Sequence, residues 1–378
     1  MAEDLKTTGG LDATLKPGVE DTLVRTGPAG AGNSEEVSTE QPHRYVLHPE
    51  SPHNPSHLLG RGGMGQVLLA RQVALDRQIA LKFIRTEIRS PETTAELLRE
   101  ALITGRLEHP NIVPVYLLGQ NQEGEPFFGM KKVEGISWQT LLADSAKAPA
   151  GMTVSVDRLQ FNLEIFQKVC SAMSYAHFRK IIHRDLKPAN VMLGRFGEVY
   201  VLDWGIAVTL EESTILPMAK DAKSLVGTPS YMAPEMAVCS TEHLSERTDV
   251  YLLGAILHEI CARRPRHEGE TLIEVLTAAY ESPPVKYPED VPAELAAICN
   301  KATARRPSDR YESVDALSRA VADFLRHRHS HHLAAAARRH LMQLEMDVKS
   351  LLPGPEKAAQ VQSTFAAARF GFEQALEA

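Results

Sequence analysis

Eight consecutive residues, His183 to Asn190, bring together groups that can do chemistry on an anionic substrate. The Asp185 carboxylate can orient a hydroxyl and take its proton. Lys187, two residues on, places a cation nearby, and Arg184 adds a second basic group on the other side. Asn190 offers an amide oxygen of the kind that ligates a hard divalent cation. Such a set suits group transfer that relies on positioning and charge neutralisation more than on a covalent intermediate. A short motif can arise by chance, so its weight depends on whether the parts it would need occur elsewhere, in workable order.

They do. Gly60-Arg61-Gly62-Gly63-Met64-Gly65-Gln66-Val67 is a glycine-rich turn whose backbone N–H groups can approach phosphate without interference from Cβ atoms. Ile79-Ala80-Leu81-Lys82 follows as a strand with a lysine. Downstream stand Asp203-Trp204-Gly205, Gly227-Thr228-Pro229 and Ala233-Pro234-Glu235. This ordered set resembles the eukaryotic-type (Hanks-type) serine/threonine protein kinases, in their bacterial form, over roughly residues 58–328. The resemblance implies an α+β, bilobal fold with a small β-rich N-lobe and a large helical C-lobe.

It also implies roles. Lys82 would hold the α- and β-phosphates of ATP, steered by Glu100, which the register against Leu107 to Val113 favours over Glu96. Asp203 and Asn190 would hold Mg²⁺ or Mn²⁺. Asp185 would act on the acceptor hydroxyl, with Lys187 beside the transferred phosphoryl and Thr228 supporting the aspartate. The nucleotide would be enclosed by Leu59, Gly60, Gly62, Gly63, Gly65, Val67, Ala80, Met130, Lys131, Val133 and Met192. Met130 takes the gatekeeper position, and Lys131 and Val133 offer backbone groups to adenine. Lys187 and Thr228 point to serine and threonine acceptors on protein substrates. Trp204 departs from the family pattern, which has phenylalanine there. Asp249 resembles the aspartate that holds the catalytic-loop backbone, and Arg310 the arginine that pairs with Glu235. The alternative is a pseudokinase scaffold that binds partners through the fold and the C-terminal helices, but Lys82, Asp185 and Asp203 are all present.

The elements that must position these residues are legible as well. Residues 58–89 read as strands. Pro91 to Leu107 reads as a helix with Ser90 as N-cap and proline at its first position. Leu159 to Phe178 reads as a helix leading into the catalytic loop, and Val199 to Leu202 as a short strand delivering Asp203. Residues 236–324 are mostly helical. The organisation expected is a tail without regular structure over 1–55, a kinase domain over 56–328 and a helical extension over 333–378. In that extension Pro353-Gly354-Pro355 separates two apolar helical patterns, the signature of a helical hairpin. His327, His329, His331 and His332 read as a helix end or linker rather than a metal site, since no carboxylate or cysteine partner is near in sequence.

The 378 residues carry a net charge of −7, which gives no electrostatic basis for general nucleic-acid binding. The 43% hydrophobic content suffices for a sizeable core. Cys170, Cys239, Cys261 and Cys299 form no CxxC pair and suit a reducing compartment. The most apolar run, Val250 to Cys261, is too short to span a bilayer, and the acidic start Met1-Ala2-Glu3-Asp4 is unlike a signal peptide. The expectation is a cytoplasmic protein with no membrane segment in this chain. The segment between Asp203 and Glu235 holds Ser224, Ser213 and Thr214 as candidate phosphorylation sites. Ser224 leads by its spacing from Ala233-Pro234-Glu235, and self-association would allow phosphorylation in trans.

Overall fold

The computed structural model describes residues 36–38, 44–47, 58–62, 65–121, 123–148, 157–222, 224–349 and 355–377. The small part is a sheet of β1 (Glu36–Ser38), β2 (Arg44–Leu47), β3 (Leu58–Arg61), β4 (Gly65–Gln72), β5 (Arg77–Ile84), β6 (Val115–Gln120) and β7 (Pro126–Lys131). Its order is β1-β2-β4-β5-β7-β6, with β3 also paired to β4, and every pairing is antiparallel. Helix α1 (Pro91–Arg106) packs on this sheet, with Leu97 and Ala101 buried against Ile84 and Phe128. Its start follows the sequence: Ser90 accepts from Thr93 N, and Thr93 Oγ1 accepts from Ser90 N at 2.9 Å, closing a capping box ahead of Pro91.

Strands β1 and β2 overturn the expectation of an unstructured tail at 36–38 and 44–47; the rest of 1–55 lies outside the described residues. The physical reason lies on β4. It has eight residues, and β3 covers only Gln66 to Leu68. β2 pairs with Ala70 to Gln72 and satisfies a backbone edge that would otherwise stand open.

The larger part begins with β8 (Gly135–Ser137), α2 (Trp138–Ala143) and α3 (Arg158–Phe178). Short strands β9 (Ile181–Ile182), β10 (Val191–Gly194), β11 (Val199–Val201) and β12 (Val208–Thr209) follow, and then α4 (Pro234–Ala237), α5 (Glu246–Ala262), α6 (Leu272–Glu281) and α7 (Ala293–Ala302). β8, β10 and β11 form one small sheet, and β9 with β12 another. One continuous apolar core joins these elements, centred on α3 and the fully buried middle of α5. Ile103 and Leu107, from α1 and the residue after it, belong to that same core and tie the two parts together.

The chain closes with α8 (Val314–Lys349) and α9 (Pro355–Glu377), packed on each other as the expected hairpin. Small residues allow the close approach: a Cβ on Gly371 would lie 3.0 Å from that of Ala337, and Ala337 and Ala368 are buried. The histidine-rich stretch does not end a helix, as the sequence suggested. Helix α8 runs through it unbroken, and His327 meets Glu294 of α7 at 3.1 Å. The side chains of His329, His331 and His332 lie outside the described residues. Among the described residues no group of three His, Cys, Asp or Glu side chains could hold a metal ion.

Candidate active site

The sheet register gathers the N-lobe residues. Val67 lies opposite Lys82, Lys82 opposite Phe128, and Ala80 opposite Met130. Because alternate residues share a face, Val67, Ala80, Lys82 and Met130 project from the same side of the sheet. Gly65 must be glycine: a Cβ there would sit 2.7 Å from the Phe83 carbonyl oxygen. The Gly62 N–H donates to Gly65 O at 2.9 Å and closes the turn, while Gly63 lies outside the described residues. Gly60 stands on β3 opposite Val67, and Leu59 beside it is 46% exposed, as an edge that covers a ligand would be. Lys131 already donates its N–H to Pro114 O at 3.1 Å, so that N–H is not available to a ligand. Val133 follows β7 in the connection to β8, and Met192 stands on β10 opposite Ser137.

Lys82 Nζ meets Glu100 Oε1 of α1 at 2.5 Å and lies 3.6 Å from Asp203 Oδ1. Burial by itself would lower the Lys82 pKa, but Glu100 and then Asp203 outweigh it and raise it, so the ammonium is a secure charge. Glu100, buried and helped by Lys82 alone, has its carboxyl pushed up by desolvation. Asp203 goes the other way. Its burial is outweighed by Lys82, His183, Lys187 and the Gly205 backbone, and its carboxyl is held below the usual range.

The catalytic loop is drawn together around Asp185. Thr228 donates to Asp185 Oδ1 at 2.6 Å, Lys187 Nζ donates to Oδ2 at 2.8 Å, and Lys187 also donates to Thr228 Oγ1 at 2.6 Å. Asn190 Nδ2 donates to Asp185 O at 2.8 Å and to Oδ2 at 3.0 Å, so the amide nitrogen is committed to the loop and the amide oxygen is the atom that could serve a ligand. Asn190 is joined to the segment ahead of Asp203 by Leu202 N donating to Asn190 O at 2.8 Å. An amide oxygen and a carboxylate are hard oxygen donors, and with phosphate oxygens they fit Mg²⁺, which seldom takes an all-protein cage.

Backbone strain in the loop is supported from below. Arg184 and Asp203 both sit at positive φ, 69° and 58°. Asp249, fully buried on α5, accepts from His183 N at 2.8 Å and from Arg184 N at 3.0 Å. His177 of α3 adds a third bond at 2.8 Å. Burial pushes the Asp249 carboxyl up, but these partners outweigh it and keep it low. The sequence marked Asp249 but not His177, whose only signal was a histidine in an otherwise apolar helical stretch. His183 is fixed as well: its Nδ1 accepts from Asp185 N at 3.2 Å, so Nε2 carries the proton and donates to Leu202 O at 3.1 Å. Trp204 is fully buried 4.5 Å from the His183 ring, in the same core as Ile103 of α1.

At the far end of the segment, Arg310 grips Glu235 with Nη1 donating to Oε1 at 2.8 Å and Nη2 to Oε2 at 2.7 Å. Tyr231, missed by the sequence analysis, donates to Glu259 of α5 at 2.6 Å and holds the stretch that follows Thr228.

These features coincide with the matches to known proteins. A family model described as protein kinase domain matches residues 54–322. The chain belongs to the protein kinase family. Among its curated relatives is the serine/threonine-protein kinase PknD of Chlamydia trachomatis serovar D, 34% identical over 294 residues, covering 71% of this chain and 31% of that one. The namesake of Chlamydia abortus is 36% identical over 281 residues, covering 69% and 30%. That of Protochlamydia amoebophila is 32% identical over 290 residues, covering 71% and 29%. The chain thus spans under a third of the length of these relatives.

Of the three phosphorylation candidates in this chain, Ser224 is exposed, and Thr214 is too. Ser213 is engaged, its Oγ accepting from Ile215 N at 3.2 Å and Leu216 N at 2.8 Å. Among the described residues Ser224 makes no hydrogen bond to Arg184, whose Nη1 donates to Ile206 O at 3.3 Å and whose buried Nε has no hydrogen-bond partner.

Proposed function

We propose that this chain transfers the γ-phosphoryl group of ATP to serine and threonine hydroxyls of protein substrates, including other copies of itself. The observation that carries this reading is the closed arrangement of Asp185, Thr228, Lys187 and Asn190, with Lys82 already paired to Glu100 and 3.6 Å from Asp203. Asp185 receives the acceptor hydroxyl on an oxygen whose direction Thr228 fixes, and takes its proton. Lys187 neutralises charge next to that oxygen. Lys82 binds the nucleotide's phosphates, held in place by Glu100. The acceptor class follows from Lys187 and Thr228, which together build one wall of the hydroxyl site. A divalent cation, Mg²⁺ or Mn²⁺, held by Asn190 and Asp203 would supply charge neutralisation between the phosphates. Among the described residues no helix is long and apolar enough to cross a membrane. The four cysteines are free, in keeping with a cytoplasmic setting.

A phosphate on Ser224 would supply an anion to the buried Arg184 guanidinium, whose Nε has no hydrogen-bond partner among the described residues, ordering the segment by charge-assisted hydrogen bonds. The test of the activity is incubation with radiolabelled ATP and a generic protein acceptor, followed by phosphoamino-acid analysis and site mapping. Label on serine or threonine that disappears in Asp185→Asn supports the reading. Wild-type protein that binds nucleotide but labels nothing in Mg²⁺ or Mn²⁺ rejects it.

A further inference from the structure

Two cysteines far apart in sequence meet at the end of α5 opposite Asp249, the residue that holds the catalytic loop. Cys261, in the last turn of α5, and Cys299, in α7, hold their sulfurs 3.9 Å apart. Their situations differ. Cys299 is fully buried, whereas Cys261 is part-exposed and lines two surface clefts, of about 570 Å³ and about 310 Å³. A small solute can therefore reach Cys261, and Cys299 is already placed behind it.

A third group completes the arrangement. The Tyr287 hydroxyl stands beside Cys299 and lies 2.8 Å from His258 Nδ1. His258 is buried, and burial with Arg266 beyond it lowers its pKa to about 4, so the imidazole is neutral and able to accept. Cys299, Tyr287 and His258 thus lie next to one another. Cys170 and Cys239 have no sulfur neighbour among the described residues.

We propose that Cys261 and Cys299 are a peroxide-responsive dithiol that closes to an intramolecular disulfide in the folded protein. In the first step the Cys261 sulfur attacks a peroxide oxygen. The O–O bond breaks, Cys261 becomes a sulfenic acid, and the other oxygen leaves as water with the thiol proton. In the second the Cys299 sulfur attacks the Cys261 sulfur, its proton passing through Tyr287, and the sulfenic hydroxyl departs as a second water. The two thiols together lose two electrons and two protons, and one peroxide is reduced to two waters. The sulfurs need to close from 3.9 Å to about 2.05 Å, a movement within reach of side-chain rotation and a small shift of the α5 end. The bridge joins the turn bearing Glu259, which holds Tyr231, to α7.

The experiment exposes the folded full chain to hydrogen peroxide, blocks remaining thiols by alkylation in denaturant, and maps peptides without reduction. The expected result is a crosslinked pair containing Cys261 and Cys299, about 2 Da lighter than the sum of its peptides, reversed by dithiothreitol, with Cys170 and Cys239 still alkylated. Cys299→Ala should halt the reaction at a Cys261 sulfenic acid that dimedone traps. Cys261→Ser should leave Cys299 fully alkylated, a second variant that does not depend on filling the same buried position. Tyr287→Phe should slow bridge formation several-fold and let the sulfenic acid accumulate. If Cys261 and Cys299 are both fully alkylated after peroxide, or Cys261 pairs instead with Cys239 or a second chain, the proposal is overturned. Bridge formation at the wild-type rate in Tyr287→Phe removes the proton path. None of these readouts depends on kinase activity.

Discussion

Removing Arg310 should be among the most damaging single changes in the chain. Its side chain is fully buried and Glu235 is 4% exposed, so neither charge can turn to water. The guanidinium makes two bonds to Glu235 and further bonds to the carbonyls of Ala304, Arg247 and Arg305 at 2.8, 2.9 and 3.1 Å. It also lies over the Tyr251 ring, 4.8 Å from the centroid. Arg310→Ala leaves a buried carboxylate whose one remaining side-chain partner among the described residues is Thr248 Oγ1, 2.9 Å away. Breaking a buried pair in this way costs about 3–5 kcal/mol. At ~2–4 °C per kcal/mol for a domain near this size, the melting temperature should fall by roughly 10 °C. Arg310→Lys should recover only part, since an ammonium cannot make the two-pronged contact. The double change Glu235→Leu with Arg310→Met removes both charges and should cost less than the sum of the single changes by about 2 kcal/mol or more. Urea and thermal unfolding of wild type, Glu235→Leu, Arg310→Met and the double variant give the cycle. If Arg310→Ala lies within about 1 kcal/mol of wild type, or the single changes simply add, the pair does not carry the stability assigned to it.

Other outcomes follow from the same contacts. Asp185→Asn should lower turnover by about 10²–10⁴-fold with nucleotide affinity nearly intact, because the carboxylate serves the acceptor hydroxyl; equal losses in both, by kinetics and nucleotide titration, would contradict its role. Asp203→Ala should abolish the gain in nucleotide affinity that Mg²⁺ or Mn²⁺ brings, measured by titrating a non-hydrolysable analogue with and without metal. Two buried histidines should make the fold acid-sensitive. His258 and His267 are lowered to about 4 and about 3, by burial first and Arg266 next, from an ordinary 6.5. The unfolded chain therefore takes up protons that the folded one refuses: their contribution is complete above pH 6.5 and falls away below it, toward 4 and 3. Urea unfolding should show a loss of roughly 2 kcal/mol per histidine between pH 7.5 and 5, with a shallower slope in His267→Gln. Phosphatase treatment should lower activity toward an external acceptor, and Ser224→Ala should mimic it; full activity in both would detach Ser224 from regulation.

The parts of this protein that could be read from the sequence are those where one residue type satisfies one local demand. Ser90 and Pro91 start α1 because a free N–H needs a cap and proline needs none. Gly65 faces a carbonyl oxygen at a distance no side chain tolerates. Asp185, Lys187, Asn190 and Asp203 stand in short loops where spacing in sequence becomes spacing in space. The contacts that escaped link distant elements through ordinary residues. His177 reaches Asp249, and Tyr231 reaches Glu259, with nothing in either segment to mark the partner. β2 was hidden because its stabilising edge belongs to β4. The continuity of α8 was hidden by four histidines, whose polarity resembles a linker. Ala334 to Ala337, the best helix formers in succession, carry the helix across.

Helix α8 has a mechanical consequence. Its 36 residues amount to about 54 Å of unbroken rod at 1.5 Å per residue. Its first turns, Val314, Leu317, Val321 and Phe324, are buried in the large lobe's core, and α9 stiffens its outer half. A rod clamped at one end converts rotation into travel: a tilt of about 5° at the clamp displaces the far end by roughly 5 Å. Ser174 and Gln167 of α3 grip the clamped end through Asp315 and Ser318. Small changes at the base of α3, the helix that leads into the catalytic loop, are thus magnified at the outer end of the molecule, where a pair of fluorophores or spin labels would register them as distance.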